Sequence, residues 1–277
     1  MSRRLAFLGP PGTFSEEAAL RYDPEAQILP FISISAVSAA VDSGMADEGV
    51  VPIENSLEGS VPETLDVLIH DSRLSVRNEI VLPIEHLLLA RPGTKPSDVK
   101  VISSMPQALA QCRGFIERRF PKAALEAALS TAAAVEETVR RENAAAIGNR
   151  RAAELYGAEV LAEGIQDRSS NLTRFVVLAH GDHPPTGDDK TSLAFAFAIE
   201  DRPGLLVSAL EEFSGRGINL SKIESRPSKE RLGVYIFLAD LDGHRTEETL
   251  SQCLERVREK CSFFRILGSY PRYREKG

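Results

Sequence analysis

The side chains of this sequence fall into no familiar catalytic spacing: GxGxxG, GxxxxGK, HExxH and GxSxG are all absent, and the five histidines stand apart. What recurs instead is a set of hydroxyl- and amide-rich turns, each lying between an apolar run and a helical pattern. Gly9-Pro10-Pro11-Gly12-Thr13-Phe14-Ser15-Glu16 is the first, with Thr13 and Glu16 spaced as a capping box. Asn55-Ser56-Leu57-Glu58-Gly59-Ser60 is the second. Ser103-Ser104-Met105-Pro106-Gln107 has capping spacing from Ser104 to Gln107, and Ser130-Thr131-Ala132 opens a further helical pattern. A helix start exposes unpaired backbone N–H groups and the positive end of a dipole, which suits a carboxylate or a phosphate. One such start is an ordinary cap; four in one α/β body, converging where strands end, predict an anion-binding cleft. A fifth polar segment, 165–175, passes abruptly into a strand pattern at Asn171-Leu172-Thr173-Arg174-Phe175. Read alone, it is a loop entering a strand, with Arg174 as a surface charge.

The elements that must position these turns are legible as periodic patterns. Apolar runs at 5–8, 50–53, 99–102, 144–147 and 175–178 read as strands, and helical spacing at 16–22, 63–70, 106–120, 132–141 and 150–156 alternates with them, as in a doubly wound α/β body. The apolar stretch 80–90, broken by Pro83, is too long for one hairpin arm and reads as a crossing between two lobes. Residues 179–190, AHGDHPPTGDDK, read as a linker, in which His180 and His183 lack the rigid setting that a metal site needs. Beyond it come a strand at 193–199, punctuation at 201–204, and a helix through Leu205, Leu206, Ala209, Leu210 and Phe213. A strand at 218–224, a polar turn at 228–233, a strand at 234–238, a helix at 246–260 and a strand at 262–270 complete the order βαββαβ, a ferredoxin-like plait.

Composition bounds the function. The 277 residues carry 33 basic and 40 acidic side chains, a net charge of −7, which argues against a nucleic acid or an anionic membrane surface as partner but not against a small anion. With 43% hydrophobic and 26% charged residues the chain can bury a core. Cys112, Cys253 and Cys261 offer neither a disulfide framework nor a tetrathiolate zinc site and read as small buried apolar residues. The N-terminal apolar run is too short for a signal-peptide core, so the expected location is the cytoplasm.

Several of these segments together resemble the signature blocks of the prephenate dehydratase family: 9–15, 51–61, Pro106-Gln107-Ala108-Leu109-Ala110-Gln111-Cys112, Ala145-Ala146-Ile147-Gly148 and Asn171-Leu172-Thr173-Arg174-Phe175. Downstream, Pro203-Gly204-Leu205-Leu206 and Glu224-Ser225-Arg226-Pro227 resemble the effector motifs of that family's ACT domain. The resemblance implies a two-lobed catalytic domain like periplasmic binding proteins over 1–180, a linker at 181–190 and a ferredoxin-like ACT regulatory domain over 191–277. It also implies a lyase that turns prephenate into phenylpyruvate, water and carbon dioxide under feedback inhibition by L-phenylalanine, without cofactor or metal, as a homodimer or homotetramer. Thr173 is then the essential residue. Thr13, Asn55, Ser56, Ser104, Gln111, Thr131, Arg174 and Phe175 would line the substrate cleft, and Gly204, Leu205, Leu206, Asn219, Glu224, Ser225, Arg226 and Pro227 the effector site. The chemistry agrees: prephenate is a dianion close to aromatisation, so neutral donors and one guanidinium suit it better than a carboxylate pair.

The chain departs from the family at Met105, where a histidine is common; a thioether transfers no proton, so a structural role is expected there. Glu58, Glu63 and Asp66 read as structural acids near a helix start, and the remaining acids are expected on the outer surface and linker. Two rivals stand beside this reading: an arogenate dehydratase, and a non-catalytic binder of small anions or amino acids.

Overall fold

The computed structural model describes residues 2–197, 203–229 and 233–274. The strands are Arg4–Leu8 (β1), Gln27–Phe31 (β2), Glu48–Asn55 (β3), Gly59–Ser60 (β4), Ser75–Pro83 (β5), Leu87–Ala90 (β6), Val101–Ser104 (β7), Ala124–Ala127 (β8), Ala144–Gly148 (β9), Glu159–Ala162 (β10), Leu172–Ala179 (β11), Asp189–Ala196 (β12), Leu220–Pro227 (β13), Tyr235–Asp242 (β14) and Phe263–Pro271 (β15). The α-helices are Phe14–Tyr22 (α1), Ile34–Asp42 (α2), Pro62–Asp66 (α3), Pro106–Gln111 (α4), Arg113–Arg119 (α5), Thr131–Thr138 (α6), Arg150–Tyr156 (α7), Leu205–Ser214 (α8) and Glu248–Lys260 (α9). Contacts divide the chain into two compact units, Met1–Thr64 with Ile80–Phe175, and Leu65–Glu79 with Val176–Gly277. The division falls inside β5 and β11.

The first unit is built on a repeated βαβαβ theme. One sheet has the order β2-β1-β3-β11-β5 with β4 beside β3, the other β10-β6-β9-β7-β8. In both, a parallel trio is ordered alike, β2-β1-β3 and β8-β7-β9. The repeat extends to packing. A methyl on Gly49 of β3 would stand 2.7 Å from Val37 of α2, and one on Gly148 of β9 would stand 2.6 Å from Val135 of α6. Each glycine lets a helix lie flat on its sheet. The serines that cap these two helices, Ser33 and Ser130, share φ −150° and ψ 161° and accept from Ala36 N and Ala133 N respectively.

The stretch 80–90 leaves one sheet at Pro83 and enters the other at Leu87, so it crosses between them as its broken apolar pattern predicts. Three expectations change in detail. The helix at 106–120 is interrupted at Cys112 into α4 and α5; the helix at 63–70 ends in a π turn, Val67–Asp71; and β2 and α2 fill a stretch that no periodic pattern marked.

In the second unit the C-terminal sheet runs β13-β14-β12-β15, all antiparallel. This is the ferredoxin-like arrangement. Leu193, Phe195, Ala239 and Leu241 of the sheet bury against Ala209 and Phe213 of α8 and Leu250, Cys253, Leu254 and Val257 of α9. The expected strand residues 198–199, the punctuation at 201–202 and turn residues 230–232 lie outside the described residues. The segment 181–190 is pinned within its own unit: His183 N donates to Ser269 O, and Asp189 accepts from Thr186 N, Thr186 Oγ1 and Gly187 N.

Candidate active site

The polar cluster of the first unit forms where the chain crosses between its two sheets, at 84–86 and again at 163–171. Backbone bonds run these crossings together: Ile84 N donates to Asn171 O at 2.8 Å, and Ile165 N to His86 O at 3.0 Å. The turn after β3 is tied to the same place, because Ser56 N donates to Leu172 O, and Ser56 Oγ donates to Ser170 O while accepting from Leu172 N.

Within this frame the side chains form one continuous network. Asn55 Oδ1 accepts from the backbone N–H groups of Leu57 and Glu58, so its amide nitrogen faces inward and donates to Asn171 Oδ1 at 2.8 Å and to Thr173 Oγ1 at 2.9 Å. Asn171 Nδ2 donates to Gln111 Oε1 at 2.9 Å, His86 Nε2 lies 2.9 Å from the same oxygen, and Gln111 Nε2 donates to Glu58 Oε1 at 3.2 Å. Thr173 is 8% exposed, and Asn171 1%. A cavity of about 260 Å³ opens beside the network, lined by Leu57, Glu58, Gln111, Gln166, Arg168 and Asn171 among others.

Thr173 and Arg174 stand on opposite faces of β11, as successive strand residues must. Thr173 shares its face with Asn55 of the adjacent β3, while Arg174 pairs with Glu54 at 3.0 Å on the other. Phe175 is 2% exposed and belongs to the core. Ser104 does not cap α4, whose N-cap is Met105 without a side-chain bond; its hydroxyl is fully buried and donates to Ile147 O at 2.7 Å. Met105 itself packs against the cluster of Ile102, Ala108 and Ile116.

Thr13 caps α1, accepting from Glu16 N, and the Glu16 carboxylate accepts from Gly12 N, a near relative of the expected box. A methyl on Gly12 would meet Ala132 of α6 and Ala152 of α7, so the starts of α1, α6 and α7 do converge. Thr131 opens α6 and is 7% exposed.

The network thus joins Asn55, Ser56, Gln111 and Thr173, and adds three residues that the sequence did not single out as site groups: His86, Asn171 and Glu58. Glu58 and Asp167 line the cavity, so acids do enter the site rather than keeping to the outer surface. Glu63 is structural, accepting from Ile34 N at the start of α2, and Asp66 pairs with Arg226 and Lys229. His86 is 3% exposed, and burial lowers its pKa against the opposing pull of its Gln111 bond. Burial, with Asp167 nearby, pushes the Cys112 thiol up to about 12, which removes it as a nucleophile at neutral pH.

In the second unit the expected effector residues lie on α8 and β13. Gly204 is the N-cap of α8 at φ +92°, followed by Leu205 and Leu206. Asn219 donates to Asp242 at 3.3 Å, and along β13 Glu224 pairs with Lys222 and Arg226 with Asp66, with Ser225 and Pro227 on the same edge strand.

Comparison with known proteins gives this geometry its setting. The prephenate dehydratase family profile matches residues 5–183, and the ACT domain profile matches 197–259. The bifunctional chorismate mutase/prephenate dehydratase of Aquifex aeolicus is 43% identical over 271 residues, 97% of this chain and 74% of that one. Among solved structures, the prephenate dehydratase of Arthrobacter aurescens in complex with L-Phe is 38% identical with a TM-score of 0.88, covering 97% of this chain and 90% of that one. GqqA, described as a novel type of quorum quenching acylase, is 31% identical with a TM-score of 0.88, covering 98% of each chain. By profile, identity and fold, this chain belongs to the prephenate dehydratase family and ends in an ACT domain.

Proposed function

We propose that Thr173 is the residue on which the decarboxylating dehydration of prephenate turns, and that the Asn55–Asn171–Gln111 network exists to aim its hydroxyl. The observation that carries this reading is the polarity of one bond: Asn55 Nδ2 donates to Thr173 Oγ1, which leaves the single Thr173 proton for an acceptor in the cleft. In the reaction, the electron pair of the breaking carboxyl–carbon bond enters the ring and expels hydroxide from the opposite carbon. A threonine hydroxyl is too weak an acid to surrender its proton outright, but it stabilises the departing oxygen by hydrogen bonding, and that bond strengthens as charge develops.

Thr13 and Thr131, at the converging starts of α1 and α6, are assigned to the substrate carboxylates, where free N–H groups and the dipole favour an anion. Ser56 fixes the turn that carries Asn55. Ser104, whose proton is spent on Ile147, and Phe175, in the core, support the cleft from behind. Arg174, held by Glu54 on the opposite face of β11 from Thr173, braces β11 against β3. The division of labour is a catalytic body at 1–180 and a regulatory module at 191–277 joined by 181–190. L-Phenylalanine binds between Gly204–Leu206 and the 219–227 strand of paired ACT modules, in a homodimer or homotetramer. The place of action is the cytoplasm; no helix among the described residues is long and apolar enough to cross a membrane.

Thr173→Ala is expected to lower kcat by about 10²–10³ with an unchanged melting temperature, and Thr173→Ser to retain most of it. Near-normal turnover by a stable Thr173→Ala protein overturns the role. The parent protein, assayed for phenylpyruvate from prephenate and phenylalanine from arogenate, sets the substrate by kcat/KM. Hydrolysis of an N-acyl amide with neither of these activities overturns the lyase reading in favour of the acylase neighbour's.

A further inference from the structure

Gln111 presents an amide whose oxygen and nitrogen have the same shape, so only its neighbours decide which end faces the catalytic threonine. The decision can be followed bond by bond. Asn55 is fixed by backbone: its oxygen accepts from Leu57 N and Glu58 N, so its nitrogen must point to Asn171 and Thr173. Asn171 must then receive that nitrogen with its oxygen, which turns its own nitrogen toward Gln111. Gln111 meets this donor with its oxygen and sends its nitrogen to the Glu58 carboxylate, which only accepts. His86 Nε2 lies 2.9 Å from the Gln111 oxygen that already receives Asn171. An oxygen there demands a second donor, so His86 must carry its proton on Nε2. Its other ring nitrogen, Nδ1, is buried and has no hydrogen-bond partner among the described residues, as fits a bare, unprotonated atom.

We propose that His86, as the neutral Nε2–H tautomer, is a positioning residue for the dehydration: its donation locks the Gln111 carboxamide, and through Asn171 and Asn55 keeps the Thr173 proton directed at the substrate. The inference rests on the role given to Thr173. It needs no contact between His86 and substrate. His86 is held in place independently of Gln111, since its backbone N donates to Gln166 Oε1 at 2.9 Å, its carbonyl accepts from Ile165, and its ring meets Phe14 edge-on at 6.0 Å. A fixed donor can therefore impose an orientation on a mobile amide rather than follow it. The low pKa of the buried ring keeps the lock neutral at physiological pH.

Three arms test this on the full chain. First, in ¹⁵N-histidine-labelled protein at pH 7, the His86 signal, assigned through the ¹³C-labelled carbonyl of Glu85 in the sequence's one Glu-His pair, is expected to have the neutral Nε2–H pattern; an Nδ1–H or cationic pattern overturns the proposal even if no variant folds. Second, His86→Phe keeps a ring against Phe14 but loses the donor. It is expected to lower kcat about tenfold with KM within about twofold, because the lost alignment matters most when charge develops on the leaving oxygen. His86→Gln, which carries an N–H to the reach of Nε2, is expected to recover most of that loss. Full activity in His86→Phe, or no recovery in His86→Gln, overturns the proposal. Third, adding His86→Phe to Gln111→Leu is expected to cost nothing further, since no amide remains to orient; losses that simply multiply assign His86 a merely structural role. Thr173→Ala separates the two readings. If it stays active, the catalytic reading falls; if it is inactive while the His86 arms fail, only the present proposal falls.

Discussion

Thr173 gains its use from what surrounds it, because a hydroxyl in water donates and accepts without preference. Here one donor, Asn55 Nδ2, occupies an acceptor site of the hydroxyl, and the proton is left over. The sequence made Asn55, Gln111 and Thr173 visible because they sit in polar turns and blocks. His86 was hidden in the apolar stretch 80–90, whereas Asn171 stands at the head of the Asn171–Phe175 block and had no role of its own there. A lone polar ring three residues after Pro83, where the apolar strand pattern breaks, was the available signal. The buried imidazole also carries a pH signature. Its folded pKa lies below the ordinary 6.5, by burial and against the Gln111 bond. The unfolded chain therefore binds the proton more readily, so this contribution to stability is complete above pH 6.5 and declines as pH falls below it toward the folded pKa. One such group contributes a slope of up to about 1.4 kcal/mol per pH unit. Urea unfolding at pH 7.5, 6.5 and 5.5 is expected to give His86→Gln a shallower acid-side loss of stability than the parent; identical slopes would mean that the ring is not held neutral.

At the scale of elements, the strands that carry long apolar runs were legible, and so was the βαββαβ order, since amphipathic period and turn residues agree there. What escaped was the repeat. α2, ISAVSAAVD, buries Ile34, Val37 and Val41 at helical spacing, but its register on the sheet is set by Gly49, which sequence pattern does not link to Val37. Ser104 was misread as a cap because its spacing to Gln107 is right, but a buried hydroxyl beside the Ile147 carbonyl has a better use for its proton. Within the second unit, β5 and β12 are joined by an ion pair: Lys190 Nζ donates to both oxygens of Glu79 at 2.9 Å, and Glu79, 5% exposed, also accepts from Tyr273 N. Removing only the cation leaves a desolvated carboxylate behind, which typically costs about 3–5 kcal/mol. Lys190→Met is thus expected to lose stability in that range by urea denaturation, and Lys190→Met with Glu79→Gln to regain much of it. A loss under about 1 kcal/mol for the single variant would show that the carboxylate's other partners hold it without the lysine.

At the scale of the whole molecule, the net charge of −7 says little about the cleft, because charges beyond about 8–10 Å are screened in physiological salt. Its local balance is set by Glu58 and Asp167 against Arg168, which line the cavity, and by helix starts that meet around Gly12. The same separation of scales governs regulation. An effector that binds the folded chain and not the unfolded one raises stability by RT ln(1 + [L]/Kd), about 2.7 kcal/mol at a hundredfold excess over Kd, wherever in the molecule it sits. L-Phenylalanine at saturating concentration is therefore expected to raise the melting temperature and lower turnover together. Gly204 offers the discriminating variant. Nothing lies within 4 Å of a methyl placed there, yet φ +92° is a backbone conformation that alanine adopts only at a cost. Gly204→Ala is expected to tilt the start of α8, to weaken both responses to L-phenylalanine in parallel, and to leave effector-free turnover unchanged, because no catalytic group stands on that helix. A variant that loses feedback but keeps the full melting shift would place the effector elsewhere in the molecule and confine Gly204 to relaying its effect.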